Sequence, residues 1–296
     1  MYGLPNYKEF DPTVLLAITY SFIFGVMFGD VGQGLVLFIG GALLYRFKHL
    51  TIAACISCCG IFSTIFGFMF GSIFGYEEII KPIWLRPMKQ MSNLPFVGQL
   101  NTIFIITISF GMFMIVVSII LQIMNALRMR NTESTFFDAN GIAGLIFYGS
   151  VVGTIVLFMT GHKVSGGILA ILLFVLPLLC IAFKEPLTKI VEKKPKAKTT
   201  GIGMFIITTF FELFEVLLSY FSNTLSFVRI GAFAVSHAAM MEVVLMLAGA
   251  TDGGTGNILT IIIGNLIVCA MEGLVVGIQV LRLEYYEMFS RYYHGD

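Results

Sequence analysis

The chain has 296 residues, 57% of them hydrophobic and 12% charged, with a mean hydropathy of +0.92, whereas a soluble domain carries about 25% charged residues. That composition excludes a chain with water as its main solvent. A net charge of +1, with no basic patch interleaved with aromatics, gives no sign of a nucleic-acid partner.

A bilayer core about 30 Å thick needs roughly 20 apolar residues per helix, and such stretches recur from end to end. The pattern predicts an all-α membrane protein of about eight transmembrane helices, near 12–29, 31–46, 50–75, 99–127, 137–161, 166–183, 203–248 and 256–290. Tyr7, Lys8, Glu9 and Asp11 precede the first segment and no small-residue cleavage site follows it, so it does not read as a cleavable signal. Between the first two helices runs FGDVGQG, with glycines at 29, 32 and 34 to permit a tight reversal. Asp30 within it fits either a solvated turn residue or part of an outer-side ion path. Gly25 with Gly29, and Gly67 with Gly71 and Gly75, are spaced by four, which lets helix backbones approach closely.

The cysteines Cys55, Cys58, Cys59, Cys180 and Cys269 fall inside apolar segments and read as small packing residues. The first three have no second Cys or His pair to complete a zinc site, so no metal and no cofactor is expected. The loop 75–96 is too long for a tight turn and holds the only tryptophan, Trp84. It is expected to lie on the outer surface with Trp84 among the headgroups. KEPLTKIVEKKPKAKTT, 184–200, is a lysine- and proline-rich linker unable to bury enough apolar surface to fold alone. It divides the chain into a six-helix bundle, 1–183, and a two-helix hairpin, 201–296.

Basic residues set the topology. With the amino terminus inside, inner segments hold 12 (Lys8, Arg46, Lys48, Arg128, Arg130, Lys184, Lys189, Lys193, Lys194, Lys196, Lys198, Arg291) and outer loops hold 4 (Lys81, Arg86, Lys89, Lys163). The positive-inside rule therefore places both termini in the cytoplasm. Arg229 and Arg282 are left over, claimed by no loop.

The last two segments, about 46 and 35 residues, would run roughly 69 and 52 Å at 1.5 Å per residue. They exceed the bilayer and must tilt strongly or project from it. Glu215, Ser222, Arg229 and Ser236 recur every seven residues, so each falls about 20° from the last and they form one polar stripe. Ser219, Ser226 and Asn223 widen it, with Glu212 and His237 at its flanks. The final segment repeats the pattern with Asn265, Glu272 and Gln279, and Arg282 follows three residues later. Ionisable residues at membrane depth are functional by default. Carboxylates can exchange a proton or hold Na⁺, serines and asparagine can relay through water, and arginine stays a fixed positive charge. Gluing two helices together is the structural alternative, and His237 fits a packing residue and a relay equally well.

At these residues the chain resembles a known family. SNTLSFVRIGAFAVSHAAM (222–240), CAMEGLVVGIQVLRLEYYEMF (269–289), FGDVGQG (28–34) and DPT (11–13) look like the membrane half of the stator subunit of rotary V-type and A-type ATPases, subunit a or subunit I. The resemblance covers essentially the whole chain. It implies that Arg229 matches the essential arginine facing a ring of proteolipid subunits, Arg282 the second arginine and Glu272 the half-channel glutamate. His237 matches a histidine of part of the family. Gly231 and Ala232 stand where eukaryotic members carry Trp and Leu, so the chain looks like the prokaryotic branch and a multi-pass protein of the cell membrane.

The implied function is a membrane stator whose two cation half-channels couple ion flow to rotation. Its implied partners are the proteolipid rotor ring, other stator and stalk subunits and the lipid bilayer. ATP chemistry would belong to other subunits, since no GxxxxGK loop is present. A self-contained cation transporter or antiporter is the alternative, although no internal repeat of helices supports it. Family members usually carry a large soluble amino-terminal half, so a chain starting at Met1 just before the membrane is expected to be a fragment, an engineered chain or a split subunit.

Overall fold

The computed structural model of the chain describes residues 11, 13–84, 86–89, 91–94, 98–131, 133–161, 166–191, 201–249 and 256–292. Residues 192–200 of the linker, 250–255 of the loop joining the last two long helices, Lys163, Pro12 and the stretch before Asp11 lie outside the described residues.

The described chain is mostly helical. It runs α1 (Thr13–Met27), α2 (Val31–Lys48), α3 (Thr51–Phe70), β1 (Met91–Leu94), β2 (Gly98–Asn101), α4 (Thr102–Arg128) and α5 (Ile142–Met159). There follow α6 (Ile168–Ala182), α7 (Lys184–Val191), α8 (Ile202–Ser226), α9 (Val228–Leu247) and α10 (Ile258–Leu283). A π-helical turn, Glu284–Phe289, and the short turn Ser290–Tyr292 continue α10.

Among the described residues, five helical runs are long and apolar enough to cross a membrane: Thr51–Phe70, Thr102–Arg128, Thr135–Met159, Ile202–Leu247 and Ile258–Phe289. Thr13–Met27 and Ile168–Ala182 are apolar but shorter. The chain is therefore a helical membrane protein, with five such runs in place of the eight expected. The difference lies in Thr13–Met27 and Ile168–Ala182, which are shorter than a span, and in Val31–Lys48, whose last turn carries Arg46 and Lys48. Within α6 a π turn, Ile171–Val175, lies two residues before Pro177, which has no N–H to give the ladder.

Two local expectations change. The loop after α3 holds a two-stranded antiparallel hairpin, β1 with β2, in the register Met91↔Asn101 to Leu94↔Gly98, so the chain is not purely helical. Trp84 before it is 40% exposed, stacks on Phe70 at 6.3 Å and donates its backbone N–H to Met69. In the expected linker, Lys184–Val191 is helical, because Leu187 N–H bonds back to Phe183 and continues the helical run from α6.

The chain forms two compact units: 12–108 with 227–284, and 1–11 with 109–226 and 285–296. In the first of these, α2 and α3 pack antiparallel through glycine. A Cβ on Gly34 would stand 2.6 Å from Thr64 N, and one on Gly60 would stand 2.5 Å from Phe38 N. None of Gly29, Gly32 and Gly34 uses a left-handed backbone. Their role is close approach, Gly29 to Phe70 and Gly32 to Phe74, and Asp30 caps the start of α2. The same unit packs α1, α9 and α10 together. Its core includes Ile23, Met27, Ile230, Met241, Val268 and Val276. The other unit packs α5, α6 and α8 through aromatic contacts, Phe147 to Phe174 at 6.3 Å and Tyr148 to Tyr220 at 5.4 Å.

Candidate functional site

On α10 the buried face is Asn265, Val268, Glu272, Val276, Val280 and Leu283, a spacing of three and four that makes one helical stripe. Asn265 and Glu272 of the expected polar line thus face inward. On α9 the buried face is Ile230, Gly231, Ala234, His237, Met241 and Val244. Where the two faces meet, Nδ1 of His237 stands 2.8 Å from Oε2 of Glu272, with the side chains 4% and 6% exposed. His237 also packs its ring on Phe28 at 4.7 Å. Nε2 of His237 and Oε1 of Glu272 are buried and have no hydrogen-bond partner among the described residues.

Seven residues, about two turns, before Glu272 on α10, Asn265 accepts from Nε2 of Gln33 at 2.9 Å, and the same Nε2 lies 3.2 Å from the Met241 sulfur. Oε1 of Gln33 is buried without a partner. His237 lines a small cavity of about 20 Å³ with Gly29, Ser72, Gly75, Glu77, Pro87 and Met241. That is room for a single water. Glu77 there is held by Lys89 at 2.7 Å and Arg86 at 3.5 Å.

Asp30 is 0% exposed, which corrects its reading as a solvated turn residue. Its Oδ1 accepts from the backbone N–H of Gly32 (2.9 Å), Gln33 (3.2 Å) and Phe74 (2.9 Å). Its Oδ2 accepts from Ser72 Oγ and Gly75 N, both at 3.1 Å. It is the N-cap of α2 and ties that helix start to the segment after α3. Five donors, four of them backbone N–H groups, thus engage this one buried carboxylate.

Arg229 lies half-buried on the first turn of α9, and its Nη1 is buried without a partner. Gln279 is half-buried with Oε1 unpartnered, and Arg282 is exposed. All of these belong to one unit, with His237, Asn265 and Glu272. Glu212, Glu215, Ser222, Asn223 and Ser226 belong to the other. Glu212, Glu215 and Ser222 are exposed, Asn223 and Ser226 half-buried, and Ser226 donates to the Ser222 carbonyl at 3.0 Å.

Sequence reasoning missed three residues. Gln33 lay inside the FGDVGQG motif, where only its neighbours drew attention. Glu284 is 0% exposed; its place two residues after Arg282 was the available signal. Arg291 was counted among the cytoplasmic loop cations, yet it is 5% exposed, donates to Asn140 at 3.0 Å and stacks on Tyr220. The correction is that it sits on the last helical turn, against α8, and not in solvent.

The family described as the V-type ATPase 116kDa subunit family matches residues 1–77. The A-type ATP synthase subunit I of Saccharolobus solfataricus is 27% identical over 363 aligned residues, covering all of this chain and 50% of that protein. The protein of the same name from Aeropyrum pernix is 26% identical, covering all of this chain and 47% of its own length. V-type ATP synthase subunit I 2 of Treponema pallidum is 29% identical over half of the chain and 37% of its own length. The chain spans about half the length of the curated relatives it matches across its full extent. The chain is thus similar to the V-type ATPase 116kDa subunit family over its amino-terminal segment and to A-type ATP synthase subunit I proteins over its full extent.

Proposed function

We propose that this chain is the membrane stator of a rotary ATPase, forming two offset cation half-channels against a ring of proteolipid subunits. A cation enters one half-channel, neutralises a ring carboxylate, travels around with the ring and leaves by the other. The observation that carries this reading is the buried His237–Glu272 pair at 2.8 Å, with an unpartnered atom left on each side chain. A pair kept only for structure would satisfy its outer atoms as well. This one keeps one acceptor and one ring nitrogen open at membrane depth, as a relay must.

In this reading Glu272 and His237 form a way-station, with Asn265 and Gln279 along the same stripe. Arg229 meets the emptied ring carboxylate and blocks a direct leak, and Arg282 assists it. Glu212, Glu215, Ser222, Asn223 and Ser226 line the other access. The six-helix part supports the two long helices, which tilt along the ring. Other stator and stalk subunits connect the machine to its ATP-hydrolysing head.

The test is purification and transport together. The chain should copurify with small two- or four-helix proteolipids, and the reconstituted complex should take up cations on ATP addition. Isolation without any proteolipid, together with transport by the chain alone in vesicles, would place it among self-contained transporters. Both termini are cytoplasmic in this proposal, in a prokaryotic cell membrane. In a cysteine-free background, Lys48→Cys should then react with an impermeant thiol reagent only from the inside and Lys81→Cys only from the outside. The reverse pattern would invert the topology.

A further inference from the structure

Arg291 is 5% exposed. Two of its faces are used: the guanidinium lies 5.1 Å from the Tyr220 ring centroid, and Nη1 donates to Oδ1 of Asn140 at 3.0 Å. Nε and Nη2 are buried without a hydrogen-bond partner among the described residues. These two nitrogens share one edge of the guanidinium, and their parallel N–H groups match the two oxygens of a carboxylate or phosphate. Arg291 also lines a cavity of about 200 Å³, together with Ser290, Glu215, Ser219 and Asn223 among others. All of these lie in one compact unit.

An unpaired guanidinium at this depth demands an anion, because a buried charge without a partner costs several kcal/mol. Glu215 is the one carboxylate in the cavity wall. It stands four residues before Ser219 and five before Tyr220, hence within a turn or so of the stacked arginine on the same helix. The other charged or titratable groups nearby are committed or turned elsewhere. Asp138 accepts from its own neighbour Ala139 at 2.8 Å, the Tyr220 hydroxyl donates to the Ala139 carbonyl, and the Tyr148 hydroxyl bonds Thr224 at 2.7 Å. Glu287 is buried one turn before Arg291 and does not line the cavity. A free oxyanion would have to enter beside the Glu215 carboxylate, which repels it.

We infer that Arg291 is the counter-charge of Glu215, seating its carboxylate on the Nε/Nη2 edge in one state of the ion path and releasing it in the other. Arg291 is then a positioning residue: it sets where Glu215 points, and it does not itself carry the ion. The inference rests on the reading of Glu215 as a residue of that path.

The test is a double-mutant cycle in the assembled complex, read as ATP-driven cation uptake in vesicles. Glu215→Gln and Arg291→Gln should each slow uptake by about tenfold, and the double variant should be no slower than the slower single. Arg291→Lys should recover part of the loss, which a purely structural stacking role on Tyr220 would not predict. Losses that multiply in the double variant would overturn the pairing, as would coupling of Arg291→Gln to Glu287→Gln in place of Glu215→Gln. If inorganic phosphate inhibits the wild type but not Arg291→Gln, the edge holds an oxyanion and the pairing is likewise overturned. Normal uptake by Glu215→Gln would instead remove Glu215 from the ion path, a failure of the functional reading. Where Arg291→Gln does not assemble, the cycle is run with Arg291→Lys and Glu215→Asp, under the same criteria.

Discussion

Nδ1 of His237 and Oε2 of Glu272 meet at 2.8 Å from two helices 35 residues apart in sequence, in surroundings that exclude solvent from both side chains. Glu272→Gln preserves size and one hydrogen bond to His237 but removes proton exchange. The variant complex should assemble at wild-type yield, and ATP-driven uptake should fall at least about tenfold. His237→Ala leaves the carboxylate buried with no partner, and should lower assembly yield as well as transport. Uptake at the wild-type rate by an assembled Glu272→Gln complex would reject the way-station.

Asp30 should be a stability residue. Asp30→Ala strands the donors of Gly32, Gln33, Ser72, Phe74 and Gly75, and each buried unsatisfied donor costs about 1–3 kcal/mol. Relaxation recovers part of that, so a loss of about 3 kcal/mol or more is expected, with Asp30→Asn in between. The measurement is the thermal unfolding midpoint of the purified complex in detergent, beside uptake per assembled complex. A variant of unchanged stability that has lost transport would return Asp30 to the ion path.

Helix positions were legible in the sequence because a 3.6-residue period and a bilayer-length apolar run are strong local signals. The heptad line Asn265, Glu272, Gln279 was legible for the same reason, and its inner face proved to be the buried one at Asn265 and Glu272. Partner choice was not legible. That His237 takes Glu272, and Gln33 takes Asn265, depends on how α1 to α3 pack against α9 and α10, which no single helix encodes. Asp30 misled because an aspartate between glycines has the composition of a solvated turn, while its five donors come from two separate segments. Arg291 misled because a cation near a chain end satisfies the positive-inside count whether or not it is buried. The hairpin at 91–101 was hidden by its shortness.

The glycine seam between α2 and α3 separates packing from propensity. Gly60→Ala puts a Cβ 2.5 Å from Phe38 N and should destabilise by about 1–3 kcal/mol through overpacking. Gly40→Ala, on the same pair of helices, meets nothing within 4 Å. It should be neutral or stabilise by up to about 1 kcal/mol, as an alanine replaces glycine inside a helix. The unfolding midpoint should therefore fall in Gly60→Ala and not fall in Gly40→Ala. Equal shifts would show that the seam is not closely packed.

Arg229 should be the residue the machine can least lose, and the argument is electrostatic. An ionised rotor carboxylate in a lipid-facing position carries a penalty of several kcal/mol, so it passes the stator only where a fixed cation meets it. Arg229 is half-buried, and its Nη1 is buried with no hydrogen-bond partner among the described residues. A guanidinium held in that state has a donor to offer a visiting carboxylate without first breaking a bond of its own. Lysine supplies the charge on a compact, more easily neutralised head and without the planar fork. Arg229→Lys should assemble and transport at a small fraction of the wild-type rate. Arg229→Ala should assemble and abolish coupled uptake, leaving at most an uncoupled leak. Arg282, exposed on α10, should matter less: Arg282→Ala should reduce uptake without abolishing it. The measurement is ATP-driven cation uptake in vesicles with assembly followed in parallel, and full uptake by an assembled Arg229→Ala complex would overturn the stator function proposed for this chain.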